Sequence, residues 1–130
     1  MKINHLNPET LHNNPAFTQV ITVEGSHQTI YIGGQNAVNI TGEIVGDDLA
    51  TQSEQALNNV VAALAAAGVT KENTVKLTIY IVHGQPLQEA FAAAQKVWGN
   101  QPTTITVLQV AGLANPQYLV EIDAIAVKEA

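Results

Sequence analysis

Neither cysteine nor arginine occurs in the 130 residues. Without cysteine there is no thiol catalysis, no disulfide and no Cys-ligated zinc. Without arginine, positive charge rests on Lys2, Lys71, Lys76, Lys96 and Lys128, which are scattered along a chain of net charge −6. Nucleic-acid binding needs clustered cations to neutralise phosphates, so nucleic acid is not expected as a partner. Charged residues of all kinds make up only 12%, about half of ordinary usage. So thin a solvated skin implies either a surface covered by a partner or simply Ala-rich helices. No apolar run approaches the roughly 20 residues needed to span a bilayer. The opening MKINHLNPET has no hydrophobic stretch of the secretory kind. No membrane partner is expected, and the cytoplasm is the simplest compartment.

Several kinds of site are missing as well. His5, His12, His27 and His83 show no paired spacing such as His-x-x-x-His, so no metal is expected. There is no Gly-x-Ser-x-Gly elbow for a nucleophilic serine. Gly33-Gly34 is not followed by Gly-Lys-Ser, so it is no phosphate loop. No cofactor is implied.

What is present suffices for one domain with its own core: hydrophobic residues reach 46%. Residues 1–16 are polar and read as an arm. Thr18–Val23 and Thr29–Ile32 alternate and are rich in β-branched residues, which predicts strands, and a third short strand is expected around Glu43–Val45. Leu49, Ala56, Leu57, Val60, Val61, Leu64 and Ala67 recur at three and four spacing, which predicts a helix capped by Asp47 and Asp48 and ended by Gly68. Val75–Val82 reads as a central strand. A second helix starts at Pro86, buries Leu87, Ala90, Phe91, Ala94 and Val97 or Trp98, and stops at Gly99. Strands at Thr103–Ala111 and Leu119–Val127 follow. This order indicates an α+β sandwich, a mixed sheet with two helices on one face. In the last strand Val120, Ile122, Ala124 and Ala126 share the helix-packed face. Leu119, Glu121, Asp123, Ile125 and Val127 share the other, where carboxylates among aliphatic residues suggest a face covered by another subunit.

Several stretches together resemble the RidA (YjgF) family, also labelled endoribonuclease L-PSP-like. Phe17-Thr18-Gln19-Val20 resembles its first strand, and IYIGGQNAVN over Ile30–Asn39 its second strand and Ser-Gly-Gln turn. ALNNVVAALAAAG over Ala56–Gly68 is similar to its first helix. Val75–Val82 is similar to its central strand, and PTTITVLQVAGLANPQYLVEIDAIA over Pro102–Ala126 to its C-terminal signature. The resemblance implies a chorismate-mutase-like fold, a homotrimer with three clefts between subunits, and hydrolysis of 2-imino acids or enamines to ketones and ammonia. In typical members a cleft arginine holds the substrate carboxylate and a glutamate near the C-terminus positions water.

Carried over residue by residue, the resemblance puts Ile105 at the arginine position, Phe17 at the aromatic hydroxyl and Gly33 at the serine of the turn, with Gly34 and Gln35 kept. Phe91 falls near the amide of the second helix, and Glu121 retains the glutamate. A carboxylate substrate wants the planar donor pair of arginine. Each charge-assisted bond lost at Ile105 is worth roughly 1.5–3 kcal/mol, so ordinary imino-acid deamination is not expected. The candidate site is Glu121 as the water-activating group, buried near Phe17 and Ile105, with Phe17, Gly33, Gly34, Phe91, Ile105 and Tyr118 as ligand contacts. Two functions stay open. One is a hydrolase or deaminase acting with Glu121 and water on a small, mostly apolar or uncharged imine- or enamine-like compound. The other is a non-catalytic trimer that binds a small metabolite or a protein.

Overall fold

The computed structural model describes residues 1–130. Its organising element is the last strand, in which alternate side chains have opposite fates. Val120, Ile122, Ala124 and Ala126 are at most 2% exposed, while Glu121, Asp123 and Ile125 between them stay half-buried. This strand, β6 (Val120–Glu129), lies inside a four-stranded sheet with β3 (His27–Gln35), β4 (Thr74–Val82) and β5 (Thr104–Val110), in the order β3-β6-β4-β5. β6 is antiparallel to both neighbours and β4 runs parallel to β5, so the sheet is mixed. The β-branched run of β4 fits its interior place.

Two helices, α1 (Leu49–Ala66) and α2 (Leu87–Trp98), cover one face. Leu49, Ala56, Leu57, Val60 and Leu64 of α1 are no more than 1% exposed, each large one worth about 1.5–3 kcal/mol of burial. Asp48 caps α1 by accepting the Thr51 N–H at 3.0 Å, which holds its carboxyl below the usual range. Gly68 follows the helix with φ +77°, a left-handed turn that suits glycine. Gln52, 1% exposed, is fully employed: its amide donates to the carbonyls of Gly46 and Gln117, and its oxygen accepts the Leu119 N–H. It thereby ties α1 to the segment entering β6.

The number of strands agrees with the sequence, but one of them is elsewhere. Residues 1–16 are not simply an arm, because Lys2–Leu6 forms β1, paired antiparallel with β2 (Val20–Glu24). Glu43–Val45 makes no strand. Only the isolated bridge Val38↔Ile44 forms there, since Asn39 closes the loop by accepting the N–H groups of Thr41 and Glu43. Leu119 packs on the helix-face core rather than on the open face, and Val127 is already buried within the chain. Phe91 is 48% exposed; Ala90, Ala93 and Trp98 are the buried residues of α2.

Candidate functional site

The residues singled out by sequence fall into two groups that one chain keeps apart. The first surrounds a cavity of about 470 Å³ between α2, the strands β4 and β5, and the segment before β2. Phe17, Phe91 and Ile105 all line it, with Trp98, Leu77 and Ile79. Ile105 points there because it pairs with Leu77, a core residue on the helix-covered face. Phe17 is set by its neighbour: Thr18 is buried and its N–H donates to the Thr103 carbonyl at 2.9 Å. His12 packs edge-on against the Phe17 ring with centroids 6.0 Å apart. Trp98 donates its indole N–H to Thr103 Oγ1 at 3.1 Å, so the ring is both core and cavity wall. No acidic or basic side chain lines this cavity.

The second group sits on the open face. Glu121 pairs in register with Tyr80, and both face away from the helices. Its carboxylate lies directly against Gly34, where a Cβ would overlap the carboxyl atoms. The β3–β6 register slips between Ile32 and Gln35, and at that bulge Gly34 lies beside Glu121. Around Gly33 there is open space instead. Asn36 fixes the carboxylate, donating to Glu121 Oε1 at 3.2 Å and to the Val120 carbonyl at 3.1 Å. Asn36 is held in turn by Asn59 of α1, whose amide donates to the carbonyls of Asn36 and Val38, and Gln55 donates to Asn59 Oδ1. Nothing in sequence periodicity pointed to Asn36 or Asn59. The single signal was an amide, Asn59, on a helix close to the apolar stripe.

The expected closeness of Glu121 to Phe17 and Ile105 is therefore corrected within one chain: they lie on opposite faces of the sheet, because odd residues of β6 and odd residues of β5 point in opposite directions. Tyr118 is not on the cavity wall either. It sits in the turn closed by its own N–H to the Asn115 carbonyl.

Beside Glu121 on the open face, Tyr80 donates to Asp123 Oδ2 at 3.1 Å. That bond, the Asp123 charge, burial and the Glu121 charge together push the phenol above its usual value. Lys76 donates to Thr106 Oγ1 at 2.6 Å on the same face. Tyr31 is 77% exposed and Leu108 44%, an apolar content that is large for a solvated sheet. No group of three or more His, Asp or Glu side chains is arranged to hold a metal ion. No helix is long and apolar enough to cross a membrane.

A mixed sheet with two helices on one face and a glycine bulge under a C-terminal glutamate defines an α+β protein of one recognisable class. A family profile described as Endoribonuclease L-PSP matches residues 9–128, and the chain belongs to that family, which includes the RidA (YjgF) proteins. A Rid family protein of unknown function from Yersinia pestis superposes with a TM-score of 0.84 at 33% identity, covering 97% of this chain and 98% of that one. A RutC family protein of Pyrococcus horikoshii is 32% identical over 101 residues, 77% of this chain and 79% of the relative. The 2-iminobutanoate/2-iminopropanoate deaminase of Rattus norvegicus is 31% identical over 119 residues, 87% of this chain and 80% of the relative.

Proposed function

We propose that the chain is a single-domain cytoplasmic protein that acts as a homotrimer, with small-molecule clefts between subunits, and hydrolyses a small imine- or enamine-like compound using Glu121 and water. The observation that carries this reading is the split site. The cavity wall with Phe17, Phe91 and Ile105 is on one face of the sheet, and Glu121 over Gly34 is on the other. Only a second copy can bring a Glu121 to an Ile105. The exposed Tyr31 and Leu108 on the open face supply apolar area for such an association.

In the proposed step Glu121 accepts a proton from water as the water oxygen bonds to the C=N carbon. Glu121 passes that proton to the former imine nitrogen, and the resulting amino alcohol expels ammonia as its hydroxyl proton is transferred through Glu121 to the leaving nitrogen, which leaves the carbonyl product and an ionised Glu121. One C=N bond is exchanged for one C=O bond and one water is consumed. Asn36 occupies Oε1 and leaves Oε2 as the proton-accepting oxygen. A 2-imino acid is a poor substrate, because Ile105 offers its carboxylate no partner. RNA is no better supported as a substrate. Lys71 and Lys128 donate to the carbonyls of Val97 and Ala67, and Lys96 lies 3.9 Å from Glu54, so these lysines form no phosphate track.

The test joins two measurements. Light scattering should return about three times 13.8 kDa. Hydrolysis of enamines and imines, generated by an amino-acid or amine oxidase and read as ammonia release, should be lost in Glu121→Gln. A concentration-independent monomer would remove the composite cleft. Unchanged hydrolysis in Glu121→Gln would remove Glu121 from the reaction, and none in the wild type would leave a non-catalytic metabolite-binding trimer.

A further inference from the structure

The cavity beside α2 has a distinct chemistry of its own, because within one chain the Glu121 carboxylate lies on the opposite face of the sheet. Its aromatic walls are Phe17, Phe91 and Trp98, and its aliphatic walls include Ile105. A charged ligand would leave its hydration here with no counter-charge in return. Only two polar side chains, Asn14 and Gln95, reach the cavity wall, and each is half employed. Asn14 Oδ1 accepts the Ala16 N–H at 2.9 Å, which leaves the Asn14 NH₂ to donate. Gln95 Nε2 donates to Asn100 Oδ1 at 2.8 Å, which leaves the Gln95 carbonyl to accept. The volume of about 470 Å³ lies within the range of small-molecule sites, and it holds a ring with a short substituent.

We infer that this cavity takes a neutral, ring-bearing compound whose polar end both donates and accepts one hydrogen bond, the pattern of an unsubstituted imine, C=N–H, or of a primary amide. The inference rests on the proposed C=N hydrolysis only for the identity of that polar end. The cavity walls are built within one chain and carry no charge of either sign. Flat aromatic faces favour an aryl ring over a branched aliphatic one, through edge and stacking contacts as well as burial.

The molecule carries its own reporter, because Trp98 is the single tryptophan and lies on the cavity wall. The experiment titrates the full-length protein with benzamide and with benzoate, two ligands of nearly equal shape but different charge, following Trp98 emission. Saturation-transfer NMR on the same ligands reads binding that leaves the emission unchanged. Benzamide should bind saturably and benzoate at least about tenfold more weakly, the loss of about 1.4 kcal/mol. Phe91→Ala, at a half-exposed position where truncation leaves the core intact, should weaken benzamide severalfold, and Ile105→Arg should reverse the order of the two ligands. Benzoate binding as tightly as benzamide to the wild type, or neither ligand binding by either method, overturns the inference. Benzamide selectivity without any C=N hydrolysis would keep it and remove the proposed reaction instead. Hydrolysis without that selectivity would do the reverse.

Discussion

The two faces of the four-stranded sheet are made from the same strands, yet they obey different rules. On the helix-covered face Val120, Ile122 and Ala124 meet Leu57, Val60 and Leu64, and burial there is complete within one chain. On the open face the intervening Glu121, Asp123 and Ile125 share space with Tyr80, Tyr31 and Lys76, neither dry nor fully solvated. The first face specifies the fold. The second holds polar groups arranged by hydrogen bonds and apolar groups left without a cover, which is how a surface looks when it awaits a partner. The packed core and the candidate carboxylate are thus assigned to opposite sides of one strand by a period of two.

Substitution tests this division most strongly in the core. Ile122→Ala should cost about 2–5 kcal/mol in urea unfolding, since the vacated space lies in the core that packs β6 against α1 and refills poorly. The cost should persist at every protein concentration. On the open face Tyr31→Asp should leave the secondary structure intact and shift the proposed trimer toward monomers, seen as a fall in mass by light scattering. An equal loss of folding at low and high concentration for Tyr31→Asp would show that this face stabilises the single chain and would erase the distinction.

A finer comparison lies between adjacent glycines. Gly34→Ala drives a methyl into the Glu121 carboxylate, whereas the same change at Gly33 meets open space. Neither glycine has a positive φ, so backbone strain does not enter. Displacing a reacting group by about 1 Å can cost about 10²-fold in rate, and Gly34→Ala should lower C=N hydrolysis by that order. Gly33→Ala should change stability by no more than about 0.5 kcal/mol. Equal effects of the two substitutions on ammonia release would mean that the approach of Glu121 to the backbone is incidental.

Much of this division was readable in advance, for a physical reason. The two helices and β4, β5 and β6 follow from periodicity, and Val120, Ile122, Ala124 and Ala126 stand where alternation puts them. The misjudged segments are those whose structure comes from pairing or side-chain amides. Lys2–Leu6 has little strand character of its own and becomes one by pairing with β2. Glu43–Val45 has the residues of a strand but gives way to the turn that Asn39 closes. Phe91 fits the helical stripe, yet it faces a cavity rather than the core. At the site, alternation alone placed Glu121 on the open face. Within one chain Glu121 and Ile105 lie on opposite faces of the sheet, so the expected pairing of the two belongs to the proposed cleft between subunits. Asn36 and Gln52 were invisible because their roles depend on groups 84 and 67 residues away in sequence.

The smallest expected effect sharpens the electrostatics of the open face. The Tyr80 phenol is held above its ordinary value of 10.0, first by its hydrogen bond to Asp123, then by the Asp123 charge, with burial and the Glu121 charge adding to it. Lys76 is the cation on the same face of β4, and Thr106 engages it. A phenol whose pKa is raised by folding keeps its proton longer in the native state. Its contribution to stability is therefore complete below the ordinary phenol range and is lost as pH rises through the raised value. Asp123→Asn removes both the acceptor charge and the Coulomb effect, and it should bring Tyr80 down toward the ordinary range. Glu121→Gln, removing only the last of the four causes, should move it less in the same direction. Absorbance of the phenolate near 295 nm, compared with Tyr80→Phe to isolate this residue, reads both shifts. The melting midpoints of wild type and Asp123→Asn should change their difference only on the alkaline side. An equal or larger shift in Glu121→Gln would mean that the glutamate, not Asp123, governs the open face, and that the hydrogen bond to Asp123 Oδ2 is not kept in solution.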